Sequence, residues 1–435
     1  MPLISWNETN WKPRFFTIWS GQAISLFGSQ LVQFALIWWL TQQTGSATVL
    51  ATASLMGFLP QVFLGPFVGP LVDRWNRRWV MLVADGMIAL VTILLAYLFA
   101  IGRAEIWTIY GLMFLRSLGG AFHWPSMSAA TSLMVPKDQL TRVQGFNQML
   151  QGALGIISAP LGALLVAWMS TQAILMIDVT TALFAIVPLL FIVIPEPVKK
   201  PVRTEISPVA SFFSDLKDGF RYFVDWHGML MIMILAMLIN FLLNPAASLL
   251  PLLVTDHFGL GATELGWLES AFGLGMLAGG ITLSVWGGFR KKIVTSMTGL
   301  IGLGVAFSML GFLPSSGFIY AVASSFGAAL MLPIVNGPIH AILQSAVEPD
   351  MQGRVFTLIG SLSSAMAPLG LLIAGPLADA TSIQIWFVIA GAACALVGVA
   401  GFFIPEVMNI ENNRKSVQNP DSESAPETVT AVPAL

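Results

Sequence analysis

Two long apolar runs of the chain are joined by the sequence Gly69-Pro70-Leu71-Val72-Asp73-Arg74-Trp75-Asn76-Arg77-Arg78. The glycine and proline allow helices to pack closely where the second run ends, and the arginines hold the turn at an anionic membrane surface. A carboxylate at a membrane boundary is costly unless it meets cations or the positive N-terminal end of a helix. Because such a contact can break and re-form, we predict a conformational gate made by Gly69, Asp73, Arg74, Arg77 and Arg78.

The composition is that of an integral membrane protein. Of the 435 residues, 56% are apolar and 10% are charged, and the mean hydropathy is +0.80, whereas soluble domains are about 25% charged. The net charge of -2 gives no sign of nucleic-acid binding. The single cysteine, Cys394, excludes a disulfide framework and a cysteine-built metal site. Lys12 and Arg14 precede an apolar run without a small-residue cleavage site, so we expect this run to be retained as a span.

Twelve apolar stretches are long enough to cross the roughly 30 Å of hydrocarbon in a bilayer. All of the 20 lysines and arginines except Arg103 and Arg116 lie at the termini or in alternate connections. This asymmetry predicts a multi-pass protein of the cell membrane with both termini in the cytosol. The predicted spans are residues 15–40, 47–72, 79–101, 105–134, 140–168, 171–194, 228–254, 264–287, 293–313, 317–346, 354–378 and 383–404.

The spans divide into six and six. An internal repeat supports the division, because Val135-Pro136-Lys137-Asp138 and Val347-Glu348-Pro349-Asp350 occupy matching places. The longest connection contains Phe212–Phe223, whose apolar spacing predicts an amphipathic helix on the inner leaflet. The predicted fold is an all-α membrane protein with two pseudo-symmetric six-helix bundles, in which rocking of the halves exposes a central site to either side. Its parts are a bundle at 1–194, a cytosolic linker at 195–227, a bundle at 228–405 and a disordered cytosolic tail at 406–435.

The charged turn resembles the loop between the second and third spans of the major facilitator superfamily, and every position of the pattern G-x-x-x-D-R-x-x-R-R is filled. The whole chain is similar to the macrolide efflux branch of the drug:proton antiporters in that superfamily. The antiporter motif expected in the fifth span is reduced to Gly155-Ile156-Ile157-Ser158-Ala159-Pro160, so proton antiport rests on the branch resemblance. The residues that carry this resemblance are Asn10-Trp11-Lys12, Ile18-Trp19-Ser20-Gly21-Gln22-Ala23, Leu40-Thr41, Thr44-Gly45-Ser46-Ala47, Gly57-Phe58-Leu59-Pro60, Leu71-Val72-Asp73-Arg74, Arg116-Ser117, Ala121-Phe122-His123 and Gly353-Arg354-Val355-Phe356.

Charged residues inside the spans are candidates for function because they are expensive there. The resemblance makes Arg116 part of the coupling machinery of a central cavity, and the alternative is a structural partner of Asp85 or of backbone carbonyls. Glu269, in the glycine-rich eighth span, is the first candidate for proton uptake, since desolvation favours the protonated carboxyl group. Its alternative is a carboxylate at the outer edge that water still reaches. We expect Asp85 in a gate ion pair and Asp178 in contact with interfacial water.

Uncharged polar residues in equivalent spans of the two halves predict a substrate cavity between them. Histidine titrates near neutrality, so His123 and His340 can carry a proton or contact substrate; hydrogen bonding within the bundle is the alternative, and no second ligand at metal spacing accompanies either. Amides of the first, seventh and tenth spans can bind an amphiphile, or they can bond helix to helix instead. These amides are Gln22, Gln30, Gln33, Asn240, Asn244 and Asn336.

No nucleotide site is expected. Gly275 and Gly279 lie in an apolar helix without a preceding strand, which favours close helix packing over dinucleotide binding, and no G-x-x-x-x-G-K loop occurs in the sequence. Together with the resemblance, this predicts a monomeric, non-enzymatic exporter, without cofactor or metal, that exchanges a small amphiphilic, macrolide-type drug for protons across the bilayer. The alternatives are export of a siderophore or lipophilic metabolite, uptake, and a non-transporting receptor or scaffold.

Overall fold

The computed structural model of the protein describes residues 10–136, 139–195, 226–347 and 349–411, and these residues form twelve long helices. Of the twelve, 11 are long and apolar enough to cross a membrane; α4, which carries Arg116 and His123, is not among them. The all-α membrane fold is therefore confirmed. The predicted helix at Phe212–Phe223 and the tail beyond Glu411 lie outside the described residues. The long helices are α1 Trp11–Thr44, α2 Ala47–Arg74, α3 Arg77–Ala100, α4 Ile106–Met134, α5 Leu140–Trp168, α6 Thr171–Phe191, α7 His227–Leu252, α8 Ala262–Trp286, α9 Lys292–Phe312, α10 Phe318–Ala346, α11 Pro349–Ala380 and α12 Ile383–Gly401.

Local sequence sets the ends of several helices. The first helix ends because Gly45 adopts φ 56°, a left-handed conformation that glycine adopts without strain. Ser46 then begins α2, since its hydroxyl accepts a hydrogen bond from the Val49 N–H. In the charged turn, the Asn76 side chain accepts a hydrogen bond from the Trp79 N–H at 3.3 Å and so begins α3.

Helices pair in the same pattern in the two halves. In the first half, α1 packs on α5 and α6, α3 on α4 and α6, and α2 on α4. The second half repeats these pairs six helices later, with α7 on α11 and α12, α9 on α10 and α12, and α8 on α10. Large apolar side chains that remain exposed, such as Trp107 and Phe312, are those that lipid can solvate. The described helices thus form the two pseudo-symmetric bundles that the sequence predicts.

Small residues bring some helices into backbone contact. A Cβ added at Gly275 would lie 2.3 Å from the Phe326 carbonyl oxygen of α10, and one added at Gly279 would lie 2.1 Å from that of Leu330. Neither position has room for a side chain. The prediction that Gly275 and Gly279 serve close helix packing is therefore confirmed.

The two halves touch mainly through α2 on α11 and α5 on α8. On α11, a Cβ added at Gly375 would come within 2.8 Å of the Thr48 Cα atom. On α8, a Cβ added at Gly273 would lie 2.8 Å from the Gly155 carbonyl oxygen of α5. The contact between α2 and α11 reaches the end of the molecule that holds the connection Gly45–Ser46, which we call the α1–α2 end.

Candidate transport cavity

A cavity of about 310 Å³ lies between the two halves. The first half contributes Gln30 and Gln33 from α1 and Phe58 from α2, and the second half contributes Asn244 from α7 and Glu269 from α8. Polar residues of the equivalent helices α1 and α7 therefore face one shared space. A volume of this size accommodates a small organic ligand.

The cavity continues into the first half as a second space of about 390 Å³. Gln30, Gln33 and Phe58 line both spaces, while Arg116 and His123 from α4 line the second. The continuous wall therefore brings together predicted residues from α1, α4, α7 and α8. It joins the amides to the two α4 side chains for which we predict a coupling role.

Glu269 is a carboxylate at the contact between the two halves. It lies on α8 between Gly266 and Gly273, two residues at which that helix packs closely on α5. The side chain is half-buried and makes no hydrogen bond or ion pair with any described residue. The hydroxyl of Ser158 on the opposing helix is also buried without a hydrogen-bond partner in the described part and lines the same cavity. A buried hydroxyl without a partner is exceptional in folded proteins, and a ligand in the cavity can satisfy it.

Arg116 takes part in a buried ion pair. Its Nη1 atom lies 2.7 Å from Asp178 Oδ2 and also contacts the Thr92 hydroxyl. The same carboxylate accepts hydrogen bonds from Ser29 at 3.0 Å and from Thr92 at 3.2 Å. The structural partner of Arg116 is thus Asp178, not Asp85. The expectation that Asp178 contacts interfacial water was wrong, because this residue is only 1% exposed and its charge is compensated inside the bundle.

A second buried polar cluster joins α1, α3 and α4. Gln22 Nε2 donates to Asp85 Oδ2 at 2.8 Å, while Gln22 Oε1 lies 2.8 Å from His123 Nε2. The histidine Nε2 atom is 3.3 Å from Asp85 Oδ1. With the amide in this orientation, the glutamine oxygen accepts and the His123 Nε2 atom is the donor. All three residues belong to the first half, so the predicted role of Asp85 in a gate stays a prediction.

Of the remaining predicted binding residues, one is hydrogen-bonded within α7 and two are exposed on α10. Asn240 is engaged within α7, since its Nδ2 atom donates to the Ala236 carbonyl at 2.9 Å and its Oδ1 atom accepts from Asn244 at 3.1 Å. Asn336 and His340 lie exposed on α10. Asn244 is thus the one asparagine of α7 that lines the cavity between the halves.

The described residues of the predicted gate contact their own half. Arg78 donates to the carbonyls of Leu189, at 2.5 Å, and Leu190, at 2.8 Å, and so caps the end of α6. Arg77 is buried, with Nη1 3.4 Å from the Trp75 carbonyl. The surroundings of Gly69 and the side chains of Asp73 and Arg74 lie outside the described part of the structure. A gating contact of Asp73 stays a prediction.

Sequence reasoning missed a row of glutamines on α5. Gln144, Gln148 and Gln151 are exposed and line a space of about 610 Å³ together with Gln61 and Trp124. Their spacing of four and three residues puts them on one face of the helix. That spacing is the signal by which the sequence could have revealed them. These side chains continue the cavity wall as an amide-rich surface toward the end of the molecule opposite the α1–α2 end.

Twelve long helices in two repeated halves around a shared polar cavity are the architecture of a membrane transporter. The sequence matches the Major Facilitator Superfamily over residues 18–366, with a second match over residues 229–432. The protein therefore belongs to the Major Facilitator Superfamily.

Several relatives that match most of the chain are efflux proteins. Macrolide efflux protein A of Streptococcus pyogenes is 34% identical over 402 residues, which cover 92% of this chain and 98% of that protein. Macrolide efflux protein A of Enterococcus faecalis is 34% identical over 327 residues, or 75% of this chain and 100% of the relative. Multidrug efflux pump Tap of Mycolicibacterium fortuitum is 28% identical, over 88% of this chain and 94% of the pump.

Solved structures share the fold at low sequence identity. A bacterial homologue of the iron transporter ferroportin, in the inward-facing state, has a TM-score of 0.68 at 15% identity and covers 89% of this chain and 98% of that structure. A bacterial homologue of the human lysosomal transporter Spinster has a TM-score of 0.62 at 13% identity, over 93% and 97% of the two chains. The helical architecture is thus that of known transporters.

Proposed function

We propose that the protein exports an amphiphilic drug of the macrolide type across the cell membrane in exchange for protons. The observation that carries this proposal is Glu269, a carboxylate without a partner in the described residues, in a cavity bounded by both halves. A carboxylate at such a site can hold either a proton or a cationic group of the substrate, but not both. Competition between the two for one carboxylate couples the entry of protons to the exit of substrate.

The walls fit a ligand with both polar and apolar parts. Gln30, Gln33 and Asn244 offer amide donors and acceptors for hydroxyl and carbonyl groups, and Phe58 offers an apolar surface. The glutamines of α5 extend this surface away from the α1–α2 end. The efflux relatives at 34% identity support a macrolide as the drug.

Orientation follows from the charges. We assign the α1–α2 end to the outside, because the start of α1, the end of α12 and the arginine-rich turn after α2 lie at the other end. With this assignment the cavity wall rich in glutamines leads to the cytosol. A cytosolic substrate would therefore meet the amides of α5 before it reaches Glu269.

Transport in inside-out proteoliposomes with a radiolabelled macrolide tests the proposal. An imposed pH gradient, acidic inside the vesicle, is expected to drive accumulation of the macrolide well above the level in protein-free vesicles. A protonophore is expected to return accumulation to that level, because the coupled proton flow then has no driving force. Accumulation that persists with the protonophore would show that protons are not the coupling ion, and absence of transport in any condition would remove the macrolide as substrate.

A broader range of drugs is the second candidate. The match to the multidrug efflux pump Tap over most of both chains favours it, as do amide side chains that can bond to many different polar groups. A cationic fluorescent dye in the same vesicles separates the two. If the dye is transported in a proton-driven manner and the macrolide inhibits this transport competitively, both compounds use one cavity that accepts a wide range of substrates.

A further inference from the structure

The α1–α2 end carries a charged contact that neither the predicted gate nor the cavity includes. The carboxylate of Asp379, near the end of α11, accepts hydrogen bonds from the first backbone N–H groups of α2, at Ala47 (2.6 Å) and Thr48 (2.9 Å). It also accepts one from the Ser46 hydroxyl at 2.8 Å. We call this contact the Asp379 cap. It joins one half of the protein to the other at this end.

The position of Asp379 is unfavourable for its own helix. It is the second-last residue of α11, where the helix dipole is negative and repels a carboxylate. At the start of α2 the dipole is positive and the first N–H groups have no partner within the helix. The carboxylate is therefore stabilised by the N-terminus of α2, whereas the C-terminus of its own helix destabilises it. This stabilisation exists only while α2 and α11 are in contact at this end.

The sequence around Asp379 repeats that around Asp73. Gly375-Pro376-Leu377-Ala378-Asp379 matches Gly69-Pro70-Leu71-Val72-Asp73, and each aspartate is the second-last residue of its helix. Gly375 brings the two backbones close enough for the cap to form, because a Cβ at this position would meet the Thr48 Cα atom. Since α2 and α11 pack antiparallel, the end of α2 with Asp73 runs toward the start of α11.

We propose that the Asp379 cap is the releasable contact that holds the two halves together at the α1–α2 end, as the counterpart of the gate predicted around Asp73 at the other end. Each aspartate would favour the conformation in which its own end is shut. The transporter would then alternate by releasing one of the two contacts as it forms the other. The proposal concerns which end is open and does not depend on the substrate or the coupling ion.

Thiol labelling of a cavity residue measures opening of the α1–α2 end. In a Cys394→Ala background, Ser248→Cys places a thiol in the cavity between the halves, and a membrane-impermeant maleimide is added from the side of the α1–α2 end. Asp379→Asn is expected to raise the labelling rate about 2- to 5-fold, the usual effect of removing a negative charge from a helix N-terminus. Asp73→Asn is expected to lower the rate.

The matched control is Asp256→Asn. Asp256 is an exposed residue after α7 whose carboxylate accepts a hydrogen bond from the adjacent Thr255 hydroxyl, and within the described residues it makes no bond to the other half, so its loss should leave the rate unchanged. Labelling from the opposite side distinguishes gating from loss of structure, since Asp379→Asn should then label more slowly. An unchanged rate with Asp379→Asn, an equal rise with Asp256→Asn, or a rise from both sides would each overturn the proposal. The labelling measurement does not require transport. A failure of the gating proposal can therefore be distinguished from a failure of the proposed export.

Discussion

Replacement of Glu269 by glutamine is expected to abolish proton-driven accumulation of the macrolide while substrate exchange without a gradient continues. Glutamine keeps the shape of the side chain but can neither release a proton nor attract a cation. Because the described residues offer Glu269 no partner, no neighbour should lose a bond through the change. For a cationic substrate, the loss of one attractive charge in the cavity is expected to raise the KM of exchange about 10-fold or more.

Two assays on the same vesicles check this expectation. Uphill transport with an imposed pH gradient should fall to the level of protein-free vesicles, and counterflow of labelled against unlabelled macrolide should remain measurable. Glu264→Gln is the matched control: it lies in the same helix, and its carboxylate caps the start of α8 through the Gly261 N–H at 3.0 Å. Protonophore-sensitive accumulation by Glu269→Gln at the wild-type rate would remove Glu269 from the coupling step.

The helices could be predicted because the bilayer imposes a minimum length on each apolar run. The boundaries were less certain, since polar or charged residues can continue a helix beyond the hydrocarbon. Thus α1 begins at Trp11 and α11 at Pro349, where the predicted spans begin at 15 and 354. Repeat matching predicts the same grouping of six and six helices in which the described helices pack. The repeat shows which six apolar runs form each bundle, and a single sequence is enough to find the repeat.

The sequence does not predict whether a polar residue faces the cavity, a neighbouring helix or lipid. A helix that is apolar all round gives no stripe to show which side meets a cavity, a neighbour or lipid. Asn240 and Asn244 illustrate this, because they are one turn apart, yet one bonds within its helix and the other also lines the cavity. The sequence singles out Glu269 because a carboxylate is rare in a span, and its role in proton coupling stays a prediction. Its place at the contact between the halves needed the structure.

Polar contacts between residues that are far apart along the chain could not be predicted from the sequence either. Asp178 lies 62 residues from Arg116 along the chain, and its placement near the end of a span suggested water rather than a buried partner. Asp379 meets Ala47 across 332 residues. A usable signal existed in the second case, because four of the five residues that end with Asp379 are identical to those that end with Asp73. The match predicts an equivalent position in a helix, while the partner depends on how the two halves pack.

Loss of either member of the Arg116–Asp178 pair is expected to destabilise the protein strongly. The side chains are 12% and 2% exposed, so Arg116→Leu or Asp178→Leu leaves a charge buried without its counter-ion. Such losses cost about 3–5 kcal/mol, whereas removal of both charges is often close to neutral. We therefore expect the unfolding midpoint of each single variant to fall by about 5–10 °C. The double variant Arg116→Leu with Asp178→Leu should recover most of this difference.

The sole cysteine of the chain reports the transition. Cys394 is 1% exposed, so a thiol-reactive dye in detergent labels it only as the protein unfolds. Arg103→Leu, at an exposed position in the connection after α3, is the control and should leave the midpoint unchanged. A double variant less stable than either single variant would contradict the pairing. If the double variant folds but has lost proton-driven transport, Arg116 serves coupling as well as stability; if it transports normally, the pair is structural alone.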